Sequence, residues 1–271
     1  MKKALILIQA RMSSTRLPKK VMLPVCGKPL LYQMYERVIR SQYAGQVVII
    51  TSNRKEDDPI ESFCVHEGIL FYRGHPTDLL DRHYKAAKKF RAKHVVKIPS
   101  DCPLIDPRII DKVIGAYLDG AEQYDYVSNL HPASYPDGND VEIMNFEALE
   151  KAWICANKNY EREHTTPFIW ENPNLFKIGN VTWFPNLDYS LSHRWTLDYE
   201  EDYLLIRAIY QELYPHKPNF RMDDILELLE RKPHLKKINA IHLGKSWYTN
   251  HLNELNSIND YKTKYVQILN G

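Results

Sequence analysis

The stretch Ala4-Leu5-Ile6-Leu7-Ile8-Gln9-Ala10-Arg11-Met12-Ser13-Ser14-Thr15-Arg16-Leu17-Pro18-Lys19-Lys20 decides the architecture. Its first part, Ala4–Gln9, is a short apolar run without polar alternation, the pattern of a strand covered on both faces in a parallel sheet. The run ends in a loop, residues 10–29, whose Pro18, Pro24, Gly27 and Pro29 rule out regular helix. Leu31, Met34, Tyr35 and Val38 then recur at helical spacing and predict a helix over 30–41. Strand, irregular loop and amphipathic helix make one βα unit.

Outward from this unit the rhythm repeats. Strands are predicted over 47–51, 69–72, 94–98 and 124–128. Helices are predicted over 58–67, where Asp58-Pro59 offers a cap and a first-turn proline, over 77–92, and from Pro107 onward behind Asp106. The expected fold is α/β, a Rossmann-like and mostly parallel sheet with helices on both faces. Residues 129–145 carry Pro132, Pro136 and Gly138, break the rhythm and read as a loop or hairpin excursion, a candidate dimerisation element. Helices follow over 146–156, 161–171 and 199–213, with a strand over 178–183. The tail from Met222 is helical and charged at first and uninformative later. Without repeats or a low-complexity linker, residues 1–271 read as one domain, with 221–271 its helical C-terminal part.

Composition narrows the function classes. Hydrophobic residues at 44% and charged residues at 26% describe a globular protein rather than a disordered one. A formal charge of +2 is too balanced for a dedicated nucleic-acid binder, so any anion site must come from local clustering. The apolar start ends at Gln9 and Arg11, too short for a secretory core, and no stretch approaches the ~18 apolar residues of a membrane span. Cys26, Cys64, Cys102 and Cys155 are scattered and form no CxxC pair, so reduced thiols and a cytoplasmic setting are expected.

In parallel sheets ligands bind beyond the carboxyl ends of strands. The loop after the first strand gathers Arg11, Arg16, Lys19 and Lys20 with three hydroxyls, which suits triphosphate oxygens. A solvated basic loop is the plain alternative, and its position after the first strand favours the anion site. No GxGxxG follows that strand, which disfavours a dinucleotide fold. Gly244-Lys245-Ser246 mimics the end of a phosphate loop, but Asn239 stands where the earlier glycine belongs, and the match reads as chance. After the 94–98 strand comes Ser100-Asp101-Cys102-Pro103-Leu104-Ile105-Asp106-Pro107. Asp101 is placed to reach a metal on the phosphates, whereas Asp106 reads as a helix cap. The run Arg194-Trp195-Thr196-Leu197-Asp198 ends in a second acid. Asp101 and Asp198 form a candidate Mg²⁺ pair, with a helix cap as the even alternative for Asp198.

Together these loops resemble the acylneuraminate cytidylyltransferase family, and within it the branch named for spore-coat polysaccharide biosynthesis protein F. The family pattern A-R-x-x-S-x-R-L-P-x-K stands here as Ala10, Arg11, Ser14, Arg16, Leu17, Pro18 and Lys20, followed by Gly27-Lys28-Pro29-Leu30. Further likeness lies in Arg73-Gly74, Leu80-Asp81-Arg82, the segment from Asp101 to Pro107, Tyr135-Pro136-Asp137-Gly138, Arg162-Glu163-His164 and Arg194-Trp195-Thr196, and so covers nearly the whole chain. The resemblance implies a nucleotide-diphospho-sugar transferase type of fold and an enzyme. A sugar hydroxyl would attack the α-phosphorus of CTP and pyrophosphate would leave. Positioning and charge neutralisation carry such chemistry, with Mg²⁺ as template and Lewis acid.

The resemblance also assigns residues. Arg11, Arg16 and Lys20 would hold the triphosphate, with Ala10, Ser14, Arg73 and Ser100 near the nucleotide. Arg11, Lys20 and Asp101 would be catalytic, and Asp101 and Asp198 would bind Mg²⁺. The acceptor is expected to be a sugar acid, a nonulosonate or related 2-keto-3-deoxy acid. Asp137, Asn139, Asp140 and Glu142 can bond sugar hydroxyls, although Asp and Asn in such a turn also bond their own backbone. Arg162, His164 and Arg194 are candidates for the acceptor's carboxylate. Three departures from the family stand out: Lys19 where glycine is usual, Pro99-Ser100 before the metal aspartate, and Glu200 in place of a common proline. The rivals are a transferase making a CDP product from a phosphorylated sugar or polyol, a glycosyltransferase, and a non-catalytic nucleotide-binding module. A glycosyltransferase would show Asp-x-Asp where Asp101-Cys102-Pro103 stands.

Overall fold

The computed structural model describes residues 3–120, 123–184, 187–245 and 254–255. Along the chain run β1 (Ala4–Gln9), a two-stranded ribbon of β2 (Pro24–Val25) and β3 (Lys28–Pro29), α1 (Leu30–Val38), β4 (Ala44–Ser52), α2 (Asp58–Glu67), β5 (Leu70–Gly74), α3 (Leu79–Lys89), β6 (His94–Pro99) and α4 (Pro107–Asp119). Then come β7 (Tyr126–Ser128), β8 (Glu142–Asn145), α5 (Phe146–Cys155), α6 (Asn159–His164), α7 (Pro167–Trp170), β9 (Ile178–Asn180), α8 (Glu200–Leu213) and α9 (Met222–Arg231).

Seven strands form one sheet in the order β5-β4-β1-β6-β8-β7-β9. The strands from β5 to β6 are parallel, as are β7 and β9, and β8 runs antiparallel to both neighbours. Side chains of β1 alternate between two cores. Ala4, Ile6 and Ile8 join α1, α2, α4, α8 and α9 on one face, while Leu5 and Leu7 join α3, α5, α6 and α7 on the other. This double burial is why the strand reads as continuously apolar. The Rossmann-like α/β expectation therefore holds.

Three elements differ from the sequence reading. The end of the 129–145 excursion is β8, which inserts into the main sheet and pairs with β6 and β7. The 161–171 helix is two short helices, α6 and α7, broken at Thr165 with φ 75, ahead of Pro167. Pro167 sits at the first position of α7, where its missing N–H costs nothing. The cap of α2 is Asp57 rather than Asp58. The reading of the tail beyond residue 245 lies outside the described residues, apart from 254 and 255. Among the described residues no helix is long and apolar enough to cross a membrane.

Candidate active site

From β1 the chain steps outward to β4 and β5, then returns to the opposite side of β1 as β6. The loops leaving β1 and β6 part at this switch point and open a crevice at the carboxyl edge of the sheet. It is a cavity of about 340 Å³.

One wall is the loop after β1, with Ala10, Arg11, Ser14, Arg16 and Lys20 lining the cleft. Its shape is fixed from inside. Ala10 N–H donates to the Ile50 carbonyl at 2.9 Å, and Lys19 N–H closes the loop on the Met12 carbonyl at 2.9 Å. Met12 N–H donates to Asp57 Oδ1 at 2.7 Å, and the other Asp57 oxygen accepts from the N–H and hydroxyl of Ser52. Asp57 is fully buried and ties this loop to the end of β4. Lys19 has φ 60, a left-handed conformation in which glycine is the unstrained residue.

The other wall is acidic. Leu197 N–H donates to the Asp101 carbonyl at 2.8 Å, and the Thr196 hydroxyl reaches the same oxygen at 3.3 Å. These bonds dock the 194–198 run against the loop after β6 and bring Asp101 and Asp198 to one place. Lys20 lies between them, 3.0 Å from Asp198 and 3.8 Å from Asp101, and also donates to the Leu197 carbonyl at 2.6 Å. Arg16 reaches Asp198 at 2.8 Å. Burial pushes the Asp198 carboxyl up, but Lys20 and Arg16 outweigh it and hold it below the ordinary carboxylate range. For Asp101 burial prevails and its carboxyl is raised, Lys20 offsetting this only in part. Asp198 does not cap α8; Asp202 accepts from the N–H groups of Asp198 and Tyr199, both at 3.0 Å.

Asp137 and Asp140 complete this wall. Burial, then the neighbouring negative charge, pushes Asp140 up to about 7, and the same causes raise Asp137 well above the ordinary carboxylate range. Gly138 is required by packing: a Cβ there would lie 2.7 Å from the Trp195 carbonyl carbon, at φ 105. Ser100, Glu163 and His164 also line the cleft.

Five expected site residues are redirected by the structure. Arg73 faces away from the cleft, paired with Asp58 at 2.7 Å and with Glu61, and bonded to the carbonyls of Ser52 and Arg54. Arg162 is held by Asp78, at 2.8 and 2.5 Å, and by the Trp153 carbonyl at 2.7 Å. Arg194 is buried and distributes its N–H groups among Asp202, Asp137, Asp198 and the Lys245 carbonyl. None of these three guanidinium groups lines the cleft; their bonds run to α2, to the start of α3 and to the acidic wall. Glu142 does line it, but one oxygen pairs with Lys97 and the other accepts from the Tyr126 hydroxyl at 2.6 Å. Asn139 is likewise spent on the Asp106 N–H and the Pro136 carbonyl. Asp106 caps α4 as expected.

The sequence reading missed Gln9, Arg82, Lys97 and Lys245, all of which line the cleft. Lys97 hides inside an apolar strand. Lys245 belongs to the tripeptide read as a chance match; it reaches the cleft without forming a phosphate loop, and Ser246 lies outside the described residues.

Asp101 and Asp198 fit a divalent cation in a limited sense. They are adjacent hard oxygen donors, and the Lys20 ammonium between them marks where positive charge is demanded. Among the described residues no three His, Cys, Asp or Glu side chains are arranged to hold a metal by themselves. A divalent cation that is completed by phosphates and water needs only one or two carboxylates from the protein.

Comparison with known proteins gives the same direction. The family model described as Cytidylyltransferase matches residues 5–233. The chain is 32% identical over 234 residues to Spore coat polysaccharide biosynthesis protein SpsF of Bacillus subtilis, covering 84% of this chain and 95% of that one. Among solved structures it is similar to a cytidylyltransferase from Leptospira borgpetersenii, with TM-score 0.81, 32% identity, and coverage of 87% of this chain and 97% of that one. The fold is shared with a CMP:2-keto-3-deoxy-manno-octonic acid synthetase complexed with CTP, at TM-score 0.59 and 18% identity, covering 78% of this chain and 100% of that one.

Proposed function

The chain belongs to the cytidylyltransferase family, and from that premise we propose that it couples CMP from CTP to a sugar acid with release of pyrophosphate, in the cytoplasm and for surface polysaccharide synthesis. The observation that carries this reading is the pairing, in one cleft, of a cationic loop with an acidic wall that meet at Lys20. Arg11, Arg16 and Lys20 suit the three phosphates, and Asp137 and Asp140 suit the hydroxyls of a sugar.

An acceptor hydroxyl attacks the α-phosphorus of CTP. The new oxygen–phosphorus bond forms, the bond to the bridging oxygen breaks, the hydroxyl proton passes to solvent, and pyrophosphate departs. Charge builds on the departing phosphates, where the cationic loop neutralises it. A divalent cation held by Asp101 and Asp198 would supply further neutralisation and align the phosphate oxygens. Lys20 sits where it can exchange its carboxylate partners for phosphate oxygens when nucleotide arrives. A 2-keto-3-deoxy acid, such as a nonulosonate, is the proposed acceptor.

The test is product mass after incubation with CTP, Mg²⁺ and separate panels of sugar acids and sugar or polyol phosphates. A product equal to sugar acid plus CMP is expected. A CDP-linked product would replace the acceptor class while keeping the transferase.

A further inference from the structure

Gln9, the last residue of β1, carries a feature that the roles above do not use. Its side-chain oxygen is buried without a hydrogen-bond partner, and the residue lines the cleft at the root of the phosphate loop. Buried polar atoms without partners are rare in folded proteins, and each costs free energy unless something else satisfies it. The cationic neighbours that might have done so are committed elsewhere. Arg82 donates to the carbonyls of His75 and Pro76, at 2.5 to 2.9 Å. Lys97 is paired with Glu142. The Gln9 backbone is fixed as well, in register with Ile50 on one side and Pro99 on the other, and its carbonyl accepts from Ser100 N–H at 3.1 Å. The side chain thus starts from a fixed backbone and its oxygen is left unsatisfied at its end.

We propose that Gln9 is a specificity-determining residue whose amide bonds the nucleoside part of the bound nucleotide. This rests on the nucleotidyltransferase reading and deepens it. Phosphate oxygens are pure acceptors, and Arg11, Arg16 and Lys20 already stand in the cleft for them. A buried amide oxygen needs a donor, which the nucleotide offers only as a ribose hydroxyl or a base amino or imino group. The acidic residues suited to the acceptor sugar, Asp137 and Asp140, come from the β7–β8 connection, and β6 lies between that connection and β1. Gln9 therefore belongs to the nucleotide's side of the cleft, which Leu79 and Arg82 of α3 also line.

The test uses Gln9→Leu, near-isosteric and apolar like Leu5 and Leu7 on the same strand face. Calorimetric titration of wild type and variant is done with CTP, UTP, ATP and GTP, with 2′-deoxy-CTP, and with inorganic tripolyphosphate. CTP affinity is expected to fall roughly ten- to a hundredfold, as for a lost buried hydrogen bond, with tripolyphosphate affinity changed by less than about twofold. Thermal unfolding of the free variant should occur at or above the wild-type temperature, because the substitution removes an unsatisfied group. If the difference between wild type and variant vanishes with 2′-deoxy-CTP, the 2′-hydroxyl is the partner; if it persists, the 3′-hydroxyl or the base is. Unchanged CTP affinity overturns the proposal. So does an equal loss for tripolyphosphate, or a lowered unfolding temperature, since either makes Gln9 a prop for the loop. A wild type that binds none of the four nucleotides overturns both this proposal and the function on which it rests, whereas normal wild-type CTP binding with an indifferent variant overturns this proposal alone.

Discussion

The Lys20 ammonium stands 3.0 Å from the Asp198 carboxylate, so a cation of the first loop is joined to an acid 178 residues later in the chain. This contact closes the cleft's two walls on each other, with Asp101 a further 3.8 Å from the same nitrogen. Lys20→Met should lower turnover by roughly 10²–10³-fold, the scale for losing one placed charge-stabilising group. It should also lower stability, because Asp101 and Asp198 would then face each other without their shared cation. Steady-state kinetics and chemical unfolding check the two halves, and a variant with wild-type turnover would remove Lys20 from the phosphate-binding set.

Asp57 reaches no ligand, yet it pins Met12 at 2.7 Å. Asp57→Ala leaves the Met12 and Ser52 N–H groups without their acceptor and frees the phosphate loop. The expected result is a rise of about tenfold or more in the nucleotide KM, with the acceptor KM much less affected. Equal changes in both constants would mean that Asp57 supports the fold at large.

Asp140 gives a pH signature. Its carboxyl lies at about 7 in the folded protein against 3.8 ordinarily, so the folded state binds the extra proton between these values. The favourable contribution is complete below the unfolded value and is lost as pH rises through the folded one. Asp140→Asn should therefore unfold at a higher temperature than wild type at about pH 8, with the gap closing towards about pH 4. Melting curves across this range check the sign; a gap that widens on acidification would refute it.

Arg162 was expected at the acceptor and is instead clamped by Asp78. Arg162→Ala should cost about 1–3 kcal/mol of stability, from the carboxylate left behind, while the acceptor KM stays within about twofold. A large rise in acceptor KM at unchanged stability would restore Arg162 to the site.

Much of this was legible in the sequence for a physical reason. Strands covered on both faces must be apolar throughout, so Ala4–Gln9 and its parallel neighbours announce themselves, as do the basic loop and the acids at strand ends. What stayed hidden depends on partners far away in the chain. Arg73, Arg162 and Arg194 look alike as isolated cations, and only the fold shows that Glu61, Asp78 and Asp202 occupy them. β8 hides at the end of a stretch whose Pro132, Pro136 and Gly138 read as a loop or hairpin excursion, and its Glu142 is neutralised by Lys97 on β6. Gln9 was passed over as the end of an apolar run, since an unsatisfied oxygen has no sequence signature.

The most direct test is pyrophosphate release with CTP, UTP, ATP and GTP, in the presence of Mg²⁺ and sugar-acid acceptors, for wild type and Asp101→Asn. Release is predicted with CTP alone, falling by about a hundredfold or more in the variant while CTP binding persists. Absence of release with every nucleotide and acceptor, or equal release by wild type and variant, would contradict the assignment of this cleft as the site of cytidylyl transfer.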